Sequence, residues 1–319
     1  MTRVAAIDCG TNSVRLLIAD VHADTLTDVE RRMEIVRLGQ GVDQTGRLAP
    51  EALERTFGAM RGYAKLIDQH GARAVRVVAT SATRDAANRQ EFVDGVREIF
   101  GVEPEVVTGA EEAELSFAGA TRDLVRLSPE TGLPTPDGTR PPYLVVDIGG
   151  GSTEFVVGST HVEAALSVDI GCVRLTERHL RDVGTPPRAE VIEAMIADID
   201  DALDRVSQDV PVERALTMVG LAGSVTTVAA MALGLSAYDP ERIHHSRIPA
   251  NRVNSVSRRL LEMTHEERAA IPVMHPGRVD VIGAGALILD RIMERYGFTE
   301  VVVSEHDILD GIAWSVSKP

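Results

Sequence analysis

The stretch Asp8-Cys9-Gly10-Thr11-Asn12-Ser13 has a counterpart in Asp147-Ile148-Gly149-Gly150-Gly151-Ser152, 139 residues further on (Asp8 against Asp147). In both copies an apolar run ends on Asp, glycine opens a tight turn, and Ser begins a second apolar run. A chain that repeats strand, turn and strand at this distance is expected to fold as two similar halves. The flanking patterns agree. In the first half, residues 3–8, 13–21 and 27–37 read as a three-stranded meander. They are followed by a helix over 50–69 with proline at its start, a strand over 74–79, a helix over 84–100, a short strand over 105–108 and a helix over 110–122. The second half restarts with strands over 143–147, 152–158 and 161–168. Helices over 188–206, 225–233, 251–262 and 278–296 alternate with strands over 216–219 and 300–303, and a last helix covers 308–315. Between the halves, residues 128–142 hold five prolines and two glycines, which no helix or central strand tolerates. The expected organisation is α/β and duplicated. A first domain covers 1–128, a linker 129–142 and a second domain 143–307, with the C-terminal helix near 308–319 placed to pack back on the first domain.

The length of 319 residues suits two domains of ordinary size. Aromatic residues make up only 3%, so the cores are expected to be built from Ala, Val, Leu and Ile. No apolar run approaches the roughly 18–20 residues needed to cross a bilayer. The N-terminus enters a strand pattern without a signal-peptide layout, so a cytoplasmic protein is expected. The two cysteines, Cys9 and Cys172, lie in apolar, glycine-flanked segments and read as buried free thiols. A net charge of −15 argues against nucleic acid or an anionic membrane as partner. Any polyanion must then be met by locally gathered cations, and these are nearly all arginines, whose fork suits phosphate oxygens.

The repeated loop carries the chemistry. A glycine turn lets backbone N–H groups converge on phosphate oxygens with no side chain in the way. The Ser hydroxyl adds a donor, and the Asp at the strand end suits Mg²⁺, which takes a few carboxylates plus phosphate oxygens. Two such loops facing each other across a cleft would grip a phosphate chain from both sides. Side chains alternate along a strand, so Ser152 and Glu154 share a face, and Glu154 is expected to face the same site. A third glycine turn, Gly220 to Ser224, opens a helix. It reads either as an anion site or as a helix cap by Ser224.

The chain resembles the exopolyphosphatase and guanosine pentaphosphate phosphohydrolase family. The resemblance is carried by residues 6–16, 79–84, 108–113, 146–154 and 171–174, with Arg278, Asp280 and Gly285 later on. It implies the actin-like ATPase (ribonuclease H-like) fold, two mixed-sheet domains flanking a cleft. It also implies removal of a terminal phosphate by water with Mg²⁺. The second Glu of the Glu111-Glu112-Ala113 motif, Glu112, is then the general base, a role that the residues alone do not single out. Asp147, Glu154 and Asp8 are the expected metal residues. Asn12, Ser13, Arg84, Gly149, Gly150, Gly151, Ser152, Gly223 and Ser224 are the expected phosphate contacts. Longer family members carry a further C-terminal helical domain, and its absence here suggests a preference for short chains.

The leading reading is a Mg²⁺-dependent exopolyphosphatase acting on inorganic polyphosphate. Guanosine pentaphosphate 5′-phosphohydrolase, which would tie the protein to the stringent response, uses the same chemistry, and no residue separates the two. A small-molecule kinase on the same fold and a non-catalytic polyphosphate or nucleotide sensor are the readings of other classes. The oligomeric state stays open, with a homodimer among the alternatives. His244-His245 reads as part of a solvated basic loop.

Overall fold

The first strand, β1 (Thr2–Cys9), is apolar on both faces. Ala5, Ile7 and Cys9 enter one buried cluster, while Val4 and Ala6 enter another. Because successive side chains point to opposite faces, such a strand belongs at the centre of a sheet covered on both sides. The computed structural model describes residues 2–22, 25–127, 138–181, 183–184 and 186–316. The expected linker residues 129–137 lie outside them.

Two compact units are present: residues 1–119 with 308–319, and residues 120–307. In the first unit, β1 is followed by β2 (Ser13–His22), β3 (Thr25–Ile35), the short α1 (Val42–Thr45) and α2 (Pro50–His70). β4 (Ala74–Ala79), α3 (Ser81–Asp85), α4 (Arg89–Phe100), β5 (Glu105–Val106) and α5 (Gly109–Leu127) complete the run. The sheet order is β3-β2-β1-β4-β5, with the first three strands antiparallel and the last three parallel.

The second unit opens with β6 (Tyr143–Ile148), β7 (Thr153–Gly158) and β8 (Val162–Val168), then α6 (Cys172–His179) and α7 (Ala189–Asp209). It continues with β9 (Thr217–Leu221), α8 (Ala222–Ala232), α9 (Pro240–Ile243), β10 (Arg247–Pro249), α10 (Ala250–Glu262), α11 (His265–Ala269), α12 (Ile282–Tyr296) and β11 (Glu300–Val303). Its sheet runs β10-β11-β9-β6-β7-β8. Leaving out the edge strand β10, the order β8-β7-β6-β9-β11 reproduces the first sheet strand for strand. The duplicated mixed-sheet α/β fold is therefore present in the strand connectivity itself.

Helices α2 and α4 cover one face of the first sheet through Leu53, Met60, Tyr63, Phe92 and Val96. The last helix, α13 (Ile308–Val316), covers the other, where Ile308, Leu309, Ile312, Ala313 and Trp314 meet Val4, Ala6, Leu17 and Val78. Arg31 on β3 reaches the buried Asp310 of α13 at 2.5 Å. Burial pulls the Arg31 guanidinium down, but the facing carboxylate outweighs it and the group ends above its ordinary value. Among the described residues no helix is long and apolar enough to cross a membrane.

Several elements differ from the sequence expectation. The helix expected over 84–100 is two helices, α3 and α4. Asn88 hydrogen-bonds both the N–H and the carbonyl of Leu48, and Ala87 donates to the Gly46 carbonyl, so residues 86–88 are drawn out of the helical path. The helix expected from 278 begins at Ile282, after a 3-10 turn at Pro276–Arg278 in which the His275 side chain accepts from the Gly277 N–H. Ser224 does not cap α8; it lies inside the first turn, behind Leu221 at the cap position. Helix α6 and strand β10 have no counterpart in the sequence reading. His244 and His245 are not a solvated loop either. They are half-buried, their rings stack at 3.8 Å, and His306 packs on His244 at 4.6 Å.

The tightest packing of α13 is at Gly311, where an added Cβ would run into the Leu115 backbone of α5. Gly311→Ala is expected to lower unfolding free energy by about 1–3 kcal/mol. Gly62→Ala, with nothing near its Cβ position on α2, should raise it by about 0.5–1 kcal/mol. Urea denaturation midpoints of the two variants check this opposition.

Candidate active site

In the first unit the predicted residues gather at the C-terminal edge of the parallel strands, where ligands of open α/β sheets bind. Asp8 ends β1. Arg15, directly opposite it on β2, donates to Asp8 Oδ2 through Nε at 2.9 Å and Nη2 at 2.7 Å. The loop between them is closed by the Gly10 N–H donating to the Ser13 carbonyl at 3.0 Å. Asn12 uses its carbonyl to receive the N–H groups of Val36 and Arg37, which ties the loop to the exit of β3. Arg84 stands on α3, just beyond β4. Its Nη1 donates to the Val107 carbonyl at 3.0 Å and to Glu112 Oε2 at 2.9 Å.

The two neighbouring glutamates of α5 are sorted by their partners. Glu111 accepts from the Thr108 N–H at 2.8 Å, while its own N–H donates to the Thr108 hydroxyl at 3.2 Å. This is a reciprocal helix cap, and the Thr108 N–H followed by its hydroxyl holds the Glu111 carboxyl below its ordinary value. Glu112 is turned the other way, buried against Arg84.

In the second unit the loop after β6 has the same closing bond, Gly149 N–H to Ser152 carbonyl at 3.0 Å. That bond occupies the Gly149 N–H, so the expectation of four phosphate donors over 149–152 becomes three. The carbonyls of the loop are drawn back by α6. Gly149 accepts from the Cys172 N–H at 3.0 Å, Gly150 from the N–H groups of Val173 and Arg174 at 2.9 and 3.0 Å, and Gly151 from Arg174 Nε at 2.6 Å. Among the described residues the N–H groups of Gly150, Gly151 and Ser152 donate to no acceptor. Gly151 and Ser152 are buried. Buried N–H groups are almost always paired, so consecutive N–H groups without an acceptor in a glycine turn suit an anion.

Asp147 and Glu154 face each other in register across β6 and β7, both buried. Glu154 Oε1 accepts from the hydroxyls of Ser152 at 2.7 Å and Ser167 at 2.8 Å, the latter opposite it on β8. The repeat offset that matches Asp8 to Asp147 also matches Arg15 to Glu154. One half therefore pairs its aspartate with a guanidinium, and the other pairs it with a second carboxylate. Carboxylate oxygens of this kind are donors that suit a hard cation. Among the described residues no group of three or more His, Cys, Asp or Glu is placed to hold a metal ion.

Gly223 lies beneath Arg278: an added Cβ would strike the guanidinium, whose Nη1 donates to Thr227 Oγ1 at 3.2 Å. Ser224 is buried against Gly285 and hydrogen-bonded to Cys172. Burial pushes both thiols up, Cys9 with help from Asp8, which disfavours the thiolate form. Three arginines bear on the site that sequence reasoning did not place there. They are Arg15, Arg174 and Arg278, and each stands within or beside a motif already singled out.

Residues 17–317 match the family described as the Ppx/GppA phosphatase family. Exopolyphosphatase 2 of Mycobacterium tuberculosis is 49% identical, with 99% of each chain covered. A crystal structure of an exopolyphosphatase-like protein superposes with a TM-score of 0.90 at 42% identity, covering 98% of both chains. The Ppx/GppA family member of Aquifex aeolicus gives a TM-score of 0.79 at 31% identity, covering 98% of this chain and 97% of that one.

The two loops differ in how tightly they are backed. A Cβ on Gly171 would collide with the backbone of Gly150 and Gly151, whereas one on Gly10 makes ordinary contacts, the Ser13 carbonyl at 3.4 Å and Asp8 Oδ2 at 4.0 Å. Gly171→Ala is expected to cost about 1–3 kcal/mol of stability, and Gly10→Ala to stay within about 0.5 kcal/mol of the wild type. Denaturant midpoints that shift equally would contradict this account of the second loop.

Proposed function

This chain belongs to the Ppx/GppA phosphatase family, and from that premise we propose that it hydrolyses the terminal phosphoanhydride bond of inorganic polyphosphate, short chains in particular, with Mg²⁺ as cofactor. The observation that carries the reading is the row of three unpaired N–H donors over Gly150–Ser152 beside the Asp147–Glu154 pair. Such a site takes up phosphate oxygens and a hard cation together.

In this reading the N–H groups of Gly150, Gly151 and Ser152 hold non-bridging oxygens, which gain negative charge in the transition state. Asp147 and Glu154 hold Mg²⁺, with Ser152 and Ser167 fixing the Glu154 carboxylate. When bound, the ion neutralises phosphate charge. Glu112 is the general base: it accepts the proton of the attacking water as the new P–O bond forms and the anhydride P–O bond breaks. Arg84 fixes the Glu112 carboxylate. Asp8, fixed by Arg15 through Oδ2, is the further carboxylate of the ion's site. Asn12 and Ser13 supply the first loop's contacts, and Gly223 and Ser224, under Arg278, those of a further phosphate.

Phosphate release from short polyphosphate should exceed that from guanosine pentaphosphate when kcat/KM values are compared with Mg²⁺ present, and stop without it. The reverse preference would move the assignment to the guanosine substrate. Tight binding with no release would make the chain a sensor. Glu112→Gln is expected to fold normally and lose about 10²–10⁴ in kcat; a variant at wild-type turnover would place the base elsewhere. Glu154→Gln should raise the Mg²⁺ concentration needed for half-maximal rate, measured by magnesium titration.

A further inference from the structure

The second unit contains a cavity of about 210 Å³ to which the mechanism assigns no role. Its walls include Thr176 on α6, Arg181 just beyond it, His265 and Arg268 on α11, Asp280, and Gly283 in the first turn of α12. With a water occupying about 30 Å³ in the liquid, the space admits a tetrahedral oxyanion with a few waters around it.

Arg268 is the group that needs explaining. It is only 6% exposed. Its Nε is buried with no hydrogen-bond partner, and its Nη1 reaches the carbonyls of Leu260 and Met263 only at 3.3 and 3.4 Å. Those contacts are at the long end for N–H···O bonds. A guanidinium cannot shed its proton, so its burial has to be met by an anion or by full hydrogen bonding. Burial pulls Arg268 below its ordinary value, while Asp280 and the exposed Glu266 act in the other direction without bonding it. The Asp280 carboxylate is itself engaged by His265 at 3.1 Å. Arg181 adds a second guanidinium to the wall, and Gly283 in the first turn of α12 lines the same space.

The position matters as much as the charge. Helix α6 holds the carbonyls of Gly149 and Gly150 at one end and walls the cavity at the other. Asp280 is two residues from Arg278, which lies over Gly223. Both elements that bear on the phosphate turns of this unit therefore also bear on the cavity.

We propose that this cavity is a second oxyanion site, taking one orthophosphate-sized tetrahedral anion on Arg268 and Arg181, and that its occupancy alters phosphate handling at the Gly149–Ser152 loop. The second clause rests on the hydrolase reading; the binding site does not.

Calorimetric titration of the full chain with orthophosphate tests the site. The wild type should bind more than one orthophosphate per chain. Arg268→Met should remove one of these and weaken it at least tenfold, and Arg181→Gln should weaken the same one. Because Arg268 also touches the end of α10, Gly283→Asp serves as the second variant. Its Cβ meets only Leu261, at 3.4 Å among side chains, and its carboxylate would enter the cavity. Thermal melting identifies the variants that stay folded. Folded Gly283→Asp protein with wild-type stoichiometry and affinity would overturn the site. In steady-state assays on polyphosphate, orthophosphate should inhibit the wild type with a non-competitive component that Gly283→Asp lacks. Purely competitive inhibition in both would overturn the coupling and leave binding to stand on the calorimetry. Loss of binding in the variants of a chain that releases no phosphate would sink the hydrolase reading and keep the cavity.

Discussion

The hairpin bond from the Gly149 N–H to the Ser152 carbonyl is the interaction on which the site depends. It closes the turn so that β6 and β7 pair in one register, with Asp147 opposite Glu154. A slip of one residue would send every side chain of β7 to the other face. Glu154 would then enter the apolar cluster around Phe155 and Val157, and the carboxylate pair would vanish. The equivalent bond from Gly10 to Ser13 fixes Asp8 opposite Arg15 in the same way. Local turn chemistry thus sets long-range electrostatics in both units.

The duplication is faithful in backbone and broken in charge. Asp8 with Arg15 is a pair of opposite charges, joined through Asp8 Oδ2. Asp147 with Glu154 places two carboxylates side by side in a buried setting. The hydroxyls of Ser152 and Ser167 both donate to Glu154 Oε1 and fix that carboxylate. The exchange of Arg15 for Glu154 is thus the point at which the two halves differ in charge, and it is the half with two carboxylates to which the proposed metal role falls.

Much of this was legible in the sequence, for identifiable reasons. The repeated loop, the two meanders and the shared face of Ser152 and Glu154 follow from turn residues and strand alternation, which are local. The choice of Glu112 over Glu111 rested on the family resemblance; the Thr108 cap that engages Glu111 is a local signal that the sequence reading did not use. What could not be read were contacts closed by the fold. Nothing local ends the helix at Asp85; Asn88 does so by reaching Leu48, forty residues back. Arg278 meets Gly223 only because the 3-10 turn before α12 delivers it there. The pullback of the loop carbonyls depended on α6, an eight-residue helix whose apolar pattern is too short to stand out.

That short helix also explains why the glycine loop is so exacting. Gly171 sits against the backbone of Gly150 and Gly151 with no room for a Cβ, and α6 begins at the next residue. The first N–H groups of any helix lack partners within it; here they are given to the loop carbonyls. A loop held by its carbonyls must present its N–H groups elsewhere, and it can do so without reorganising when an anion arrives. Preorganised donors of this kind act more strongly than donors that must first be turned. The same helix runs from the loop to the wall beside Arg268 and Arg181, so it has the glycine turn at one end and an under-compensated guanidinium at the other. Displacing one end of so short a helix displaces the other, which is the physical route by which charge in the cavity would reach the loop.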